Sequence, residues 1–166
     1  MSMLSYLDVG FTGTKEGMTT DQLVVVRGIV RQYVEEASYD TAVRVHHGVC
    51  VGADEEMDQI AREEGAFVVM HPPTDRKLLA DLEPRMGVDL WLPPEPYLDR
   101  NRAIVRGTSV LLATPWNREM PRSTRGSGTW TTVKYGLAKA EVTGGSYQVR
   151  VIQPSGVEGL VRAASA

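Results

Sequence analysis

Apolar positions recur along the chain in two alternating rhythms. Compact runs at 5–13 (SYLDVGFTG), 42–48 (AVRVHHG), 66–71 (AFVVMH), 109–115 (SVLLATP) and 147–154 (YQVRVIQP) have the length of buried strands. Between them, Thr19 to Ala37 sets Leu23, Val26, Val30, Tyr33/Val34 and Ala37 on one helical face, and Ala53 to Glu64 groups Met57, Ile60 and Ala61. Shorter helices are expected at 100–107 (RNRAIVRG) and over 128–140. Thr19 and Gln22 have the spacing of a capping box, which starts the first helix directly after a glycine-rich loop. Alternation of this kind predicts an α/β fold: a single domain over 1–166 with a doubly wound, mainly parallel sheet and helices on both faces. Two segments break the rhythm. Residues 72–96 hold 6 of the 9 prolines, so an irregular loop is expected at about 72–98, serving as a lid or an interface. The last nine residues, EGLVRAASA, read as a frayed tail or short helix without chemistry.

Composition adds three constraints. A chain of 166 residues buries a sizeable core without a staple, and its single Cys50 forms no internal disulfide, so a reducing, cytoplasmic setting is expected. No apolar run is long enough to span a membrane, and no secretory leader is recognisable. The net charge of −3 argues against a general nucleic-acid binder but hides an asymmetry: residues 1–99 carry a balance of −10 and residues 100–166 one of +7. The arginines of the second half cluster as Arg100, Arg102, Arg106 and as Arg118, Arg122, Arg125, types suited to phosphate or carboxylate.

The candidate chemistry gathers at strand ends, where open α/β sheets bind their ligands. GFTGTKEGMTT combines Gly10, Gly13 and Gly17, which allow close backbone approach, with the donors Thr12, Thr14 and Lys15 and a helix start. HHGVCVGAD brings His46, His47, Gly48, Gly52, Ala53 and Asp54 to the next strand end, and His71 closes the third strand. The spacing of these histidines matches no metal-ligand set, so no metal is expected. YLDRNRAIV offers Arg100, Asn101 and Arg102, and RGSGTWTT places Ser127, Gly128 and Thr129 at a helix start, a second anion cradle or a plain serine cap. Trp130 either stacks on a base or fills the core.

With these motifs in place the chain resembles the SLOG superfamily of Rossmann-like nucleotide-binding proteins, over roughly residues 5–154. GFTGTKEGMT, HHGVCVGAD, HPP, PYLDRNR and GSGTWTTVKY are most similar to small stand-alone members common in phages and actinobacteria. The resemblance implies a nucleotide or phosphorylated nucleoside as ligand, no further cofactor, and a homodimer. Its Lonely Guy branch implies hydrolysis of an N-glycosidic bond. Of that branch's arginine–lysine pair Arg100 keeps the arginine, and Asn101 stands in place of the lysine; Thr132 occupies the position of the catalytic glutamate. A threonine carries no charge to stabilise an oxocarbenium-like transition state, so Arg100 and Asp54 are the remaining catalytic candidates. The DNA-processing protein A branch also has a hydroxyl residue after Ser-Gly, and implies single-stranded DNA as the alternative partner.

Overall fold

The computed structural model describes residues 3–160. Its elements run β1 (Ser5–Gly13), α1 (Thr20–Glu36), β2 (Thr41–His47), α2 (Ala53–Glu63), β3 (Phe67–Met70), β4 (Leu90–Trp91), α3 (Tyr97–Arg106), β5 (Val110–Thr114), α4 (Gly128–Val142), β6 (Gln148–Ile152) and β7 (Glu158–Leu160). The sheet order is β4-β3-β2-β1-β5-β6-β7, parallel throughout except for β7, which pairs antiparallel with β6. The chain therefore leaves β1 toward one edge and returns at β5 toward the other, and the order reverses between these two strands.

Strand alternation explains the two layers. Val110 and Leu112 of β5 join Val9, Phe11, Val26, Val30, Val45 and Met57 in a core under α1 and α2. Their neighbours Leu111 and Ala113 face the other way, packing with Val105, Trp130, Val133, Val149 and Val151 under α3 and α4. The capping box forms with both of its bonds: Gln22 N–H donates to Thr19 Oγ1 at 3.1 Å, and Thr19 N–H to Gln22 Oε1 at 3.0 Å. Gln22 is itself buried, and its amide donates to the carbonyls of Pro115 and Ile152, tying α1 to the ends of β5 and β6.

Two expectations are corrected. The proline-rich segment is not irregular throughout: it contributes β4, and its residues Leu78–Ala80 bond to Val49–Val51 through Val51 N–H to Leu78 O and Ala80 N–H to Val49 O, at 2.9 and 2.8 Å. Asp89 anchors the rest by accepting from Val68 N–H and from Arg85. In the C-terminal stretch, Glu158–Leu160 forms an antiparallel edge strand, aided by the ion pair of Arg150 with Glu158; residues 161–166 lie outside the described part. No helix among the described residues is long and apolar enough to cross a membrane.

Candidate functional site

The carboxyl ends of β1 and β5, on either side of the reversal point, open onto a cavity of about 440 Å³. Its floor is built by close approach of the first two loops. Ala53 N–H donates to Thr14 O at 3.0 Å, and Gly52, at φ +89°, sits where a Cβ would overlap the carbonyl of Lys15. A side chain at Gly13 would likewise overlap Ala53 and Thr114. Thr12, Gly13, Thr14 and Lys15 consequently lie along one wall, and Asp54 comes through from the second loop.

Arg100 forms the back of the cavity. It is 3% exposed. Its Nη1 donates to the carbonyl of Gly48 and, at 3.4 Å, to that of His71; Nη2 lies 3.7 Å from Cys50 Sγ. The space for this guanidinium exists because Gly48 has no Cβ: one built there would overlap Nη1. Among the described residues no carboxylate pairs with Arg100, and its Nε has no hydrogen-bond partner. The face of Tyr97 lies 4.9 Å from the guanidinium carbon, a π contact on the group. A buried cation held by two carbonyls and a thiol, with no carboxylate in direct contact, keeps capacity for an anion on its cavity side.

The N-terminus of α4 lines the same cavity, next to Tyr97. Ser127 caps it, accepting from Trp130 N–H at 3.3 Å, which is the bland role its position allowed. Gly128 is required here because Tyr97 Oη packs against its Cα where a Cβ would stand. Ser127, Gly128 and Thr129 all line the cavity, so the helix dipole and its first amides face the same space as Arg100.

Asp54 is buried, and one oxygen, Oδ2, accepts from Gly48 N–H at 3.1 Å and Cys50 N–H at 3.0 Å. It fixes the turn on which Arg100 rests. The other carboxylate in the wall is Glu16, which is exposed. Burial pushes the Cys50 thiol up, Asp54 adds to the shift and Arg100 opposes it, so the sulfur stays protonated at neutral pH.

Of the residues marked in the sequence, Thr12, Gly13, Thr14, Lys15, Asp54, Arg100, Asn101, Ser127, Gly128 and Thr129 are brought together around this cavity. Gly52 and Ala53 lie beneath it as packing. Arg102 is not part of the wall: it is exposed on α3, pairs with Asp99 at 3.3 Å and covers Tyr135. The α1 N-terminus is not in the cavity wall, and its Gln22 amide is taken up by the Thr19 cap. Thr132, in place of the glutamate, is buried and donates to Gly128 O at 2.8 Å, away from the wall. Trp130 belongs to the core at 4% exposure, with its indole N–H bonded to Asn117 Oδ1 at 2.6 Å. Sequence reasoning missed Tyr97, because α3 starts three residues before the expected helix, and Leu78, because its backbone pairing is not written in any side-chain pattern.

The histidines pair among themselves and with carboxylates. His47 accepts from Val49 N–H at Nδ1, so its Nε2–H donates to Asp58 at 3.0 Å. His46 bridges Asp8 at 2.8 Å and His71 at 2.9 Å, and burial, followed by the neighbouring His46, His47 and Arg100, lowers the His71 pKa to about 3. Among the described residues no group of three His, Cys, Asp or Glu side chains is arranged to hold a metal ion.

The chain matches no family model and no curated protein. Solved structures are similar to it. The X-ray structure of the structural genomics target TM1055 superposes with a TM-score of 0.51 at 16% identity, covering 81% of this chain and 70% of that one. DNA-processing protein A from Helicobacter pylori, described for its single-stranded DNA binding mode, gives 0.47 at 13% identity over 86% of this chain and 74% of its own. The molybdenum cofactor (Moco) carrier protein from Chlamydomonas reinhardtii gives 0.49 at 18% identity over 90% and 76%. At these identities the likeness shows the fold alone, a Rossmann-like α/β domain.

Proposed function

We propose that this protein binds a nucleotide or phosphorylated nucleoside in the cavity at the carboxyl edge of its sheet and acts there as a sensor. The observation that carries the reading is Arg100, a buried guanidinium with no carboxylate in contact, lining the same cavity as the α4 N-terminus. A phosphate reaching both would receive charge-assisted bonds from the guanidinium and from the helix amides. The cavity volume of about 440 Å³ suits one nucleotide-sized ligand. Binding without turnover is favoured because Asp54 spends its buried oxygen on two backbone amides and Thr132 is turned into helix α4. A hydrolase version of the site rests on Asp54 and Arg100 as its catalytic pair.

The test is mass spectrometry of small molecules released by denaturing the purified protein, followed by thermal-shift titration of each. A retained nucleotide whose stabilisation disappears in Arg100→Ala supports the reading. Release of free base from that nucleotide, abolished in Asp54→Asn, would convert the sensor into a hydrolase. A salt-sensitive shift with single-stranded oligonucleotides and none with nucleotides would refute the reading and favour DNA.

A further inference from the structure

The loop between β5 and α4 carries charge that the cavity wall does not use. Its two ends belong to that wall, Trp116 and Asn117 after β5 and Gly126 and Ser127 before α4. Both ends are fixed: Asn117 accepts the Trp130 indole N–H, and Thr124 O accepts from Ser127 N–H at 3.0 Å and Thr131 Oγ1 at 3.1 Å. Between these anchors stand Arg118, Arg122 and Arg125, all exposed, and among the described residues none of the three is in a salt bridge. Glu119 is the single acid of the loop. Three like charges within eight residues repel one another, an arrangement that an incoming polyanion turns to advantage.

We propose that this arginine loop is a second anion subsite, and that the ligand is a nucleoside di- or triphosphate rather than a monophosphate. The inference rests on the nucleotide reading of the cavity. The phosphate nearest the ribose lies between Arg100 and the α4 N-terminus, and the distal phosphates leave past Asn117 to the three guanidinium groups. A compact phosphate tail is favoured over a nucleic-acid strand because the protein as a whole is acidic, with a net charge of −3, and the three arginines are confined to this one loop of eight residues. Asn117 and Ser127 belong both to the cavity wall and to this loop, so a tail leaving the cavity along them reaches the arginines.

The experiment is titration of the full chain with AMP, GMP, CMP and UMP, with the four triphosphates, and with a 20-mer of oligothymidylate. The wild type is compared with the triple variant Arg118→Ala, Arg122→Ala, Arg125→Ala. All three side chains are exposed, so the melting temperature of the free variant stays near that of the wild type. Expected is a triphosphate preference of about tenfold or more over the monophosphate of the same base, falling to within about twofold in the variant while monophosphate affinity is kept. Equal binding of mono- and triphosphates by the wild type overturns the second subsite and leaves the cavity reading standing. Oligothymidylate binding lost in the variant, without a triphosphate preference, assigns the loop to nucleic acid and overturns the proposal. If no nucleotide binds at all, the cavity reading fails and the subsite with it.

Discussion

Replacing Arg100 by methionine separates a binding arginine from a structural one. The side chain is 3% exposed and gives up few bonds: one to Gly48 O, a long one of 3.4 Å to His71 O, and a contact to a thiol. Hydrogen bonds from a charged donor contribute about 1.5–3 kcal/mol each, and the 3.4 Å bond lies at the weak end. Gly48 O, left with only the weak Cys50 S–H at 3.8 Å, adds up to about 1–3 kcal/mol. Against this loss stands the desolvation of a guanidinium that no carboxylate compensates, a penalty of several kcal/mol that an apolar side chain of similar length does not incur. The two sides nearly cancel, so Arg100→Met is expected to change the stability of the free protein by no more than about 2 kcal/mol. For a chain of 166 residues that is a shift of roughly 4–8 °C at most. Under the proposed function, the same variant is expected to lose any thermal stabilisation by nucleotide. Urea denaturation gives the first quantity and a ligand titration the second. Destabilisation of about 3–5 kcal/mol, the usual result of breaking a satisfied buried ion network, would falsify the argument that this charge waits for an anion.

Asp54→Ala is expected to cost about 2–4 kcal/mol by orphaning the amides of Gly48 and Cys50, whereas Asp54→Asn, which keeps an acceptor oxygen, costs less than about 1 kcal/mol; equal losses in denaturant melts would refute the bonding role. Gly52→Ala combines a left-handed backbone, φ +89°, with a clash on the Lys15 carbonyl and is expected to destabilise by more than about 3 kcal/mol, so a variant of normal melting temperature would disprove the loop contact. His71 has its pKa depressed to about 3 from 6.5, so between those values the unfolded chain holds a proton that the folded one lacks and stability declines as pH falls. At full effect the slope is about 1.4 kcal/mol per pH unit, giving a loss of about 2 kcal/mol between pH 6.5 and 5; the slope shrinks in His71→Gln, and an unchanged slope in that variant would assign it elsewhere.

The fold was legible because periodicity and topology are properties of whole segments. The run SYLDVGFTG marked the bounds of β1, and the Thr19–Gln22 pair marked the start of α1 to the residue, since both are decided by local apolar pattern and local hydrogen bonding. β4 and β7 escaped because they are two and three residues long, too short for an alternation to register, and owe their existence to a neighbouring strand edge. The site was legible at the level of its loops and not of its side chains. Gly52, Ala53 and Asp54 are consecutive, yet the first two pack beneath the cavity and the third reaches into it, a distinction made by the approach of the Thr14 and Lys15 carbonyls from a loop some 38 residues away. Arg100 and Arg102 look alike in sequence but are separated by two residues on a helix, roughly 200° around its axis, so that one is buried behind Gly48 and the other pairs with Asp99 in solvent. Which of the two matters depends on Gly48, whose missing Cβ alone leaves room for a guanidinium. That pairing of a glycine on β2's exit loop with an arginine on α3 is the sequence signature to seek in related chains, because neither residue explains the other's position by itself.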